Sequence, residues 1–306
     1  MKRFKNILVV FSEIVGDDDT LAQATALAKR NNARLTAVEV INDLDLPSNA
    51  IAEKEKILHR LTTSIQQDGI TLDTVVLRGT PFLEIIRQVL REKHDLVMIT
   101  AQSRSVVREF FLDNTAMRLM RKCPCAVWAV NPRGHNNYAR VLAAVDPRPD
   151  DEEAEKLNIK IMDLAISQAS LNNSELHLAH VWKVTGPDLE TLRSEPAVLG
   201  SEGTHEEILN RHESMHRKIL ERYLGRYDLA GLKFHIHLPQ GDPGVKISQI
   251  ADEQQIDLIV MGTVVRTGIP GFFIGNTAEN IVRMVNCSVM AVKPEGFVTP
   301  VTLEVQ

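Results

Sequence analysis

The sequence predicts an α/β protein built from two tandem, doubly wound domains, each on a five-stranded parallel sheet. Three observations carry this. Residues 79–130 align with residues 241–292 without a gap, at a constant offset of 162. Each half alternates short β-branched apolar runs with stretches of helical periodicity. The chain has 306 residues, twice the roughly 150 expected of one domain.

The repeat includes Gly79/Gly241, Pro81/Pro243, Asp95-Leu96/Asp257-Leu258, Arg104/Arg266, Phe110-Phe111/Phe272-Phe273, Asn114-Thr115-Ala116/Asn276-Thr277-Ala278 and Cys125/Cys287. Roughly 16 of about 52 positions are identical, which favours duplication. Ile7-Leu8 pairs with Val141-Leu142 at offset 134, and Val40 with Val181 at offset 141. The second half therefore carries extra residues, near Pro147–Asn158 and near Thr185–His212, which read as loops or helix extensions. One domain is expected over residues 1–132 and another over 139–306, the latter ending in a C-terminal tail. The joining segment Asn131–Tyr138 is polar, with Pro and Gly.

In the first half, strands are expected at Ile7–Phe11, Leu35–Ile41, Leu72–Leu77, Leu96–Thr100 and Ala126–Val130. In the second they are expected at Val141–Val145, Leu176–Trp182, Leu232–Leu238, Leu258–Met261 and Val289–Val292. Their continuous apolar character is that of strands buried on both faces. Helices fill the gaps: Leu21, Ala24 and Ala28 follow helical spacing, as do Ile85, Val89 and Leu90. Thr80-Pro81 and Asp242-Pro243 each put a capping residue before proline at a helix start. Thr204 and Glu207 have capping-box spacing, as do Asn276 and Glu279. The last strands of the two halves are Cys125–Val130 and Cys287–Val292. An apolar edge strand left unpaired invites aggregation.

Composition excludes several classes. Hydrophobic residues make up 44% and charged residues 25%, which argues against disorder. A net charge of -5 leaves no basic footprint for nucleic acid. No apolar run approaches the roughly 18 residues of a membrane span, and Ile7–Phe11 is too short for a secretory core. With three cysteines and no CxxC, a reducing, cytoplasmic location is expected.

Ligands of open α/β sheets bind beyond the carboxyl ends of the strands. Ser12–Asp19, Ala101–Asp113, Asp146–Asp150 and Gly262–Gly275 lie there. Gly262 to Thr277 is glycine-rich, follows a strand and leads into a helix, so its amides and the helix N-terminus suit a phosphate. It is neither a GxxxxGK[ST] nor a GxGxxG loop. His177, His180, His235 and His237 all lie on predicted strands of the second half, and His235 and His237 share a face by alternation. A zinc site there is conceivable, but strand histidines are the favoured reading and no metal site is expected. His212 and His216 lie one helical turn apart with no obvious convergent carboxylate. Cys123, Cys125 and Cys287 read as core thiols. The acidic runs at Asp17–Asp19 and Asp150–Glu153 suit helix N-termini.

The segments Asp257-Leu258-Ile259-Val260-Met261-Gly262, Arg266-Thr267-Gly268, Gly275-Asn276-Thr277-Ala278-Glu279 and Cys287-Ser288-Val289 resemble those of the universal stress proteins, specifically the tandem type. The resemblance covers nearly the whole chain and implies the adenine nucleotide alpha hydrolase-like fold. Nucleotide-binding members of that family carry a glycine, two residues, a glycine, nine residues, and a glycine followed by Ser or Thr. Gly262 and Gly275 match the first and third glycines. Val265 replaces the second, and Asn276 the hydroxyl residue, with Thr277 one step late. The resemblance also implies a ribose- or metal-facing aspartate at Asp146 and an adenine-contacting backbone at Val181. The site it implies is thus Asp146, Val181, Gly262, Thr263, Arg266, Gly275, Asn276 and Thr277. In the first half Thr100, Ser103 and Asp113 stand at the glycine positions and Ser12 at the aspartate. Asp113 would repel a phosphate, so that half reads as a non-binding or differently binding copy.

The expected function is a non-enzymatic cytoplasmic stress protein, an intramolecular pseudo-dimer: dimers of the family it resembles commonly pair the last strand of each subunit, which implies that Cys125–Val130 and Cys287–Val292 meet across a pseudo-two-fold axis. It would hold ATP or AMP in the second half, with Mg2+ only alongside the nucleotide. The alternatives are a module for a different or apolar ligand, with Val265 and Ile269–Ile274 lining a remodelled pocket, and an enzyme on adenylated substrates. The enzyme would need a catalytic set that the strand ends do not obviously supply.

Overall fold

Short apolar strands that carry no polar face must be covered on both sides, and helices cover both faces of one sheet here. The computed structural model describes residues 4–11, 17–41, 52–56, 58, 70–101, 115–132, 138–184, 186, 188–189, 202–263 and 275–303. The first half runs β1 (Asn6–Val10), α1 (Asp17–Asn31), β2 (Arg34–Ile41), β3 (Leu72–Arg78), α2 (Pro81–Glu92), β4 (Leu96–Thr100), α3 (Thr115–Lys122) and β5 (Ala126–Val130). The second runs β6 (Arg140–Ala144), α4 (Glu152–Asn172), β7 (Glu175–Ala179), α5 (Glu202–Leu224), β8 (Phe234–His237), α6 (Pro243–Glu253), β9 (Leu258–Gly262), α7 (Asn276–Met284) and β10 (Ser288–Val292).

The strands form a single ten-stranded sheet in the order β3-β2-β1-β4-β5-β10-β9-β6-β7-β8. Pairing is parallel within each half. The halves meet where β10 runs antiparallel to β5, with Val289 opposite Ala129, Met290 opposite Trp128 and Ala291 opposite Val127. Each last strand covers the other's edge, which removes two exposed ladders at once. One apolar layer, including Val9, Leu35, Trp128, Leu176 and Met290, lies on one side of the sheet. The other, including Leu8, Ile85, Val127, Ile259 and Val289, lies opposite.

The duplication is visible in the joints. Asp95 accepts the backbone N–H groups of Lys5 and Asn6, and Asp257 accepts that of Arg140, so each aspartate fixes the start of its half's first strand. Asn32 and Asn173 turn left-handed after the first helix of each half, and Lys93 and Gln255 do so after the third-strand helix. Gly79 and Gly241, with φ of 133° and 140°, enter α2 and α6 in a backbone region that favours glycine. The extra residues of the second half partly lengthen helices: α4 has 21 residues against 15 in α1.

Several expected ends move. β8 spans only Phe234–His237, and β7 stops at Ala179, so His180 lies past the strand rather than on it. Helix α5 already begins at Glu202, which puts Thr204 inside the helix instead of ahead of it as a cap. Helix α7 is capped by Gly275, so Asn276 is the first helical residue and not the cap. Asp242 does cap α6, accepting from the N–H groups of Gly244 and Val245, whereas Thr80 makes no side-chain cap bond to α2. The C-terminal tail crosses back onto the first half: Val301 is buried in the second apolar layer, and Arg87 of α2 donates to the Thr302 carbonyl.

Candidate functional site

The carboxyl ends of β6 and β9 and the N-terminus of α7 bring six of the sequence-expected residues to one end of the second half. Asp146 follows β6. Its backbone N–H donates to the Asn158 side chain, which donates back to the Asp146 carbonyl. This two-way clamp fixes the loop to α4. The Asp146 carboxylate is half exposed and is bonded by both Arg148 Nε, at 2.8 Å, and Arg148 Nη2. A ribose hydroxyl or cation at Asp146 therefore competes with Arg148.

His180 sits behind this aspartate. Its Nδ1 lies 3.3 Å from the Val145 carbonyl and its Nε2 lies 3.0 Å from His216 Nδ1 on α5. Burial lowers the pKa of both imidazoles, which keeps the pair neutral. His216 in turn stacks on Trp182, with ring centroids 5.7 Å apart. Val181 lies between these two ordered residues and is partly exposed. Its position is held because Trp182 accepts from the Gly241 N–H and donates to the Pro239 carbonyl. His212, one turn from His216, is not alone: its Nε2 is 2.9 Å from Asp188.

Gly262 ends β9. A Cβ there would meet Leu157 Cδ2 of α4 at 2.9 Å, so this glycine is already required for helix-on-strand packing. Thr263 is buried, and its hydroxyl accepts from Lys293 Nζ at 2.7 Å. Its hydroxyl is thereby tied into the joint between the halves. Lys293 is itself buried and also donates to the Met120 and Arg121 carbonyls at the end of α3. Burial pushes this ammonium down to about 8. The Thr263 carbonyl accepts the Gly275 N–H at 2.9 Å, which closes the loop's base. Val265 and Arg266 lie outside the described residues, as do Ser12, Ser103 and Asp113 of the first half.

Helix α7, like α2, starts without a side-chain cap bond. The first amides of any helix lack intrahelical acceptors. Asp151 and Asp242 supply an acceptor for α4 and α6. Gly275 has no side chain and cannot do so for α7. Asn276 is exposed and Thr277 partly exposed at this end. The one acidic group of the first turn, Glu279, points away, bonded by Arg121 of α3 at 2.8 Å and by Arg283. Both arginines hold its pKa below the ordinary carboxylate range, against the effect of burial.

This strand order, duplicated and joined through the last strands, accords with one further observation. A family model described as the universal stress protein family matches residues 3–131 and again residues 137–293. The chain belongs to that family. Universal stress protein E of Escherichia coli (strain K12) is 27% identical over 322 residues, spanning 99% of this chain and 98% of its own length. The Universal stress protein E homolog of Haemophilus influenzae is 24% identical over 95% of this chain and 98% of its own. Among solved structures, a functionally unknown protein from Pseudomonas aeruginosa PAO1 superposes with a TM-score of 0.76 at 22% identity, covering 97% of this chain and 95% of that one. A universal stress protein from Archaeoglobus fulgidus gives a TM-score of 0.63 at 20% identity, covering 94% and 98%. These likenesses establish the universal stress protein fold for this chain.

Sequence reasoning missed Arg148, Asn158, His180 as a backing residue, Lys293 and Arg121. Arg148, two residues from Asp146, was open to notice as a carboxylate partner. Lys293 and Arg121 had no local signal, because their partners lie in the other half of the repeat.

Proposed function

We propose that this universal stress protein is a non-enzymatic, cytoplasmic ligand holder that takes one adenine nucleotide, ATP or AMP, at the strand ends of its second half. The uncapped start of α7 carries this reading. Its amides at Asn276 and Thr277 suit phosphate oxygens, in a helix field that favours an anion. On this reading Asp146 meets the ribose and the Val181 backbone meets adenine, the roles that the family resemblance implies for them. Magnesium enters only as the nucleotide's own counter-ion.

The cations near this site support holding over turnover. Phosphoryl transfer depends on positioned cations and an oriented water. Among the described residues, Arg148 is tied to Asp146, Arg121 and Arg283 to Glu279, and Lys293 to the joint between halves. Titration calorimetry with ATP and with AMP, with and without magnesium chloride, tests binding, and steady-state hydrolysis tests turnover. Heat of binding with hydrolysis far below about 1 s⁻¹, the low end of ordinary enzymes, is expected. Faster turnover that disappears in Asp146→Ala would overturn the non-enzyme reading. No binding of either nucleotide at about 1 mM, a concentration that detects contacts worth only about 4 kcal/mol, would overturn the nucleotide reading.

A further inference from the structure

On the far edge of the second half, β7 and β8 place Glu175, His177 and His235 on one face. Glu175 and His177 are two residues apart on β7, and His177 is the register partner of His235 on β8. One ligand atom from each lies within 4.8 Å of the others. His235 Nε2 is 3.4 Å and His177 Nε2 3.9 Å from Glu175 Oε2. Ligand atoms on tetrahedral zinc stand about 3.3 Å apart, given bonds of about 2.0–2.1 Å. Small side-chain rotations therefore close the set on an ion.

The His177 side chain is 98% buried by its 2% exposure, yet its Nε2 has no hydrogen-bond partner. His235 Nε2 is likewise buried and unpartnered, although the ring is otherwise 41% exposed. Buried polar atoms are normally satisfied, and two orphaned imidazole nitrogens aimed at one carboxylate are the donor set of a metal.

The surroundings fit that role. His177 Nδ1 and His237 Nε2 are 3.0 Å apart. When His177 donates across that contact, its Nε2 carries a lone pair, the tautomer a metal requires. Lys233 donates to Glu175 Oε1 and leaves Oε2 available. Other charges face the cluster: Lys233 and Arg140 oppose a cation, and Glu253 of α6 lies near His237. Two nitrogens and one oxygen suit zinc or a neighbouring first-row ion and not magnesium or calcium, which prefer oxygen alone.

We propose that Glu175, His177 and His235 form a zinc site, with His237 as a positioning residue and the fourth position left to water. The ion staples β8, a four-residue edge strand, to β7. The site is separate from the nucleotide cleft and does not rest on that reading. The alternating pair that the sequence offered, His235 with His237, is thus replaced by a cross-strand set fixed by register.

The test titrates zinc alone into the full-length protein after removal of metal with a chelator, with a competing chromophoric chelator as readout. Wild type is expected to take up one zinc per chain at micromolar or tighter affinity. His235→Gln and Glu175→Gln are each expected to weaken it by about tenfold or more, as losses around zinc sites do. His237→Gln should weaken it in the same direction, and His216→Gln, in the separate His180–His216 pair, should leave it unchanged. A zinc-dependent rise in melting temperature that His235→Gln abolishes would confirm that the folded chain binds. No uptake by wild type at about 100 μM, a concentration that detects binding of roughly 5 kcal/mol, wild-type affinity in His235→Gln, or loss only in His216→Gln would each overturn the proposal.

Discussion

The two halves share one strand order and the same capping asparagines, yet they close their strand ends with opposite choices of size. In the first half β4 ends in Thr100, whose hydroxyl lies 2.8 Å from that of Thr20 on α1. In the second half β9 ends in Gly262, against Leu157 and Ile161 of the longer α4. A small helix residue faces a larger strand end in one copy, and the reverse holds in the other. The copies have drifted as packed pairs, because a close-packed interior does not accept one partner's change alone. The strand end that could serve a phosphate loop is thus also constrained by packing. Gly262 by itself is evidence of a tight helix contact, and the uncapped Gly275 is the better sign of a ligand.

Exchanging the strand-end residues attacks this comparison most severely. Gly262→Thr should clash with Leu157 and lose about 1–3 kcal/mol by urea unfolding, the usual cost of overpacking. Adding Leu157→Ala should recover part of it. A destabilisation that the second change does not relieve would break the size-exchange account.

A pH-dependent effect concerns the joint between the halves. Lys293 keeps its proton to about 10.5 when unfolded and releases it nearer 8 when folded. Between those values the unfolded chain binds more protons, so stability should rise with pH. Denaturant unfolding at several pH values should give a shallower slope in Lys293→Met than in wild type, because Lys160 and Cys123 are also shifted down in this range. Equal slopes would mean that the three acceptor oxygens keep Lys293 charged in the folded chain.

The smallest effect lies in the first half. Thr20→Val removes one buried hydroxyl pair and should cost about 1 kcal/mol, leaving the second half's ligand binding untouched. A change in nucleotide affinity would show that the halves are coupled through the sheet.

Fold and site were not equally legible. Apolar runs, proline after a capping residue and the repeat itself are local signals, so strands and halves could be read directly. The pairing of the last strands was implied by the family resemblance, with edge-strand physics as its motive, and is present as the antiparallel β5–β10 joint. Contacts between halves were not legible, since nothing near Lys293 or Glu279 in sequence names Met120 or Arg121. Nor was the Glu175–His177–His235 cluster, because it depends on the β7–β8 register. The α7 cap was misassigned to Asn276 because asparagine is a better capping residue than glycine. The structure puts Gly275 at the cap instead, with no side-chain cap bond.

The central claim is that one half alone holds a nucleotide, through the open start of α7. Gly275→Asp places in the second half the residue type that the first half carries at Asp113. An aspartate is at least as good a helix cap as glycine, so the variant should be no less stable. Its carboxylate would fill the anion position and repel a phosphate. Titration calorimetry of wild type and Gly275→Asp with ATP and magnesium is the decisive measurement. One ATP per chain in wild type, lost in a variant that still melts cooperatively, is the expected result. Two ATP per chain, or undiminished binding in Gly275→Asp, would contradict the account.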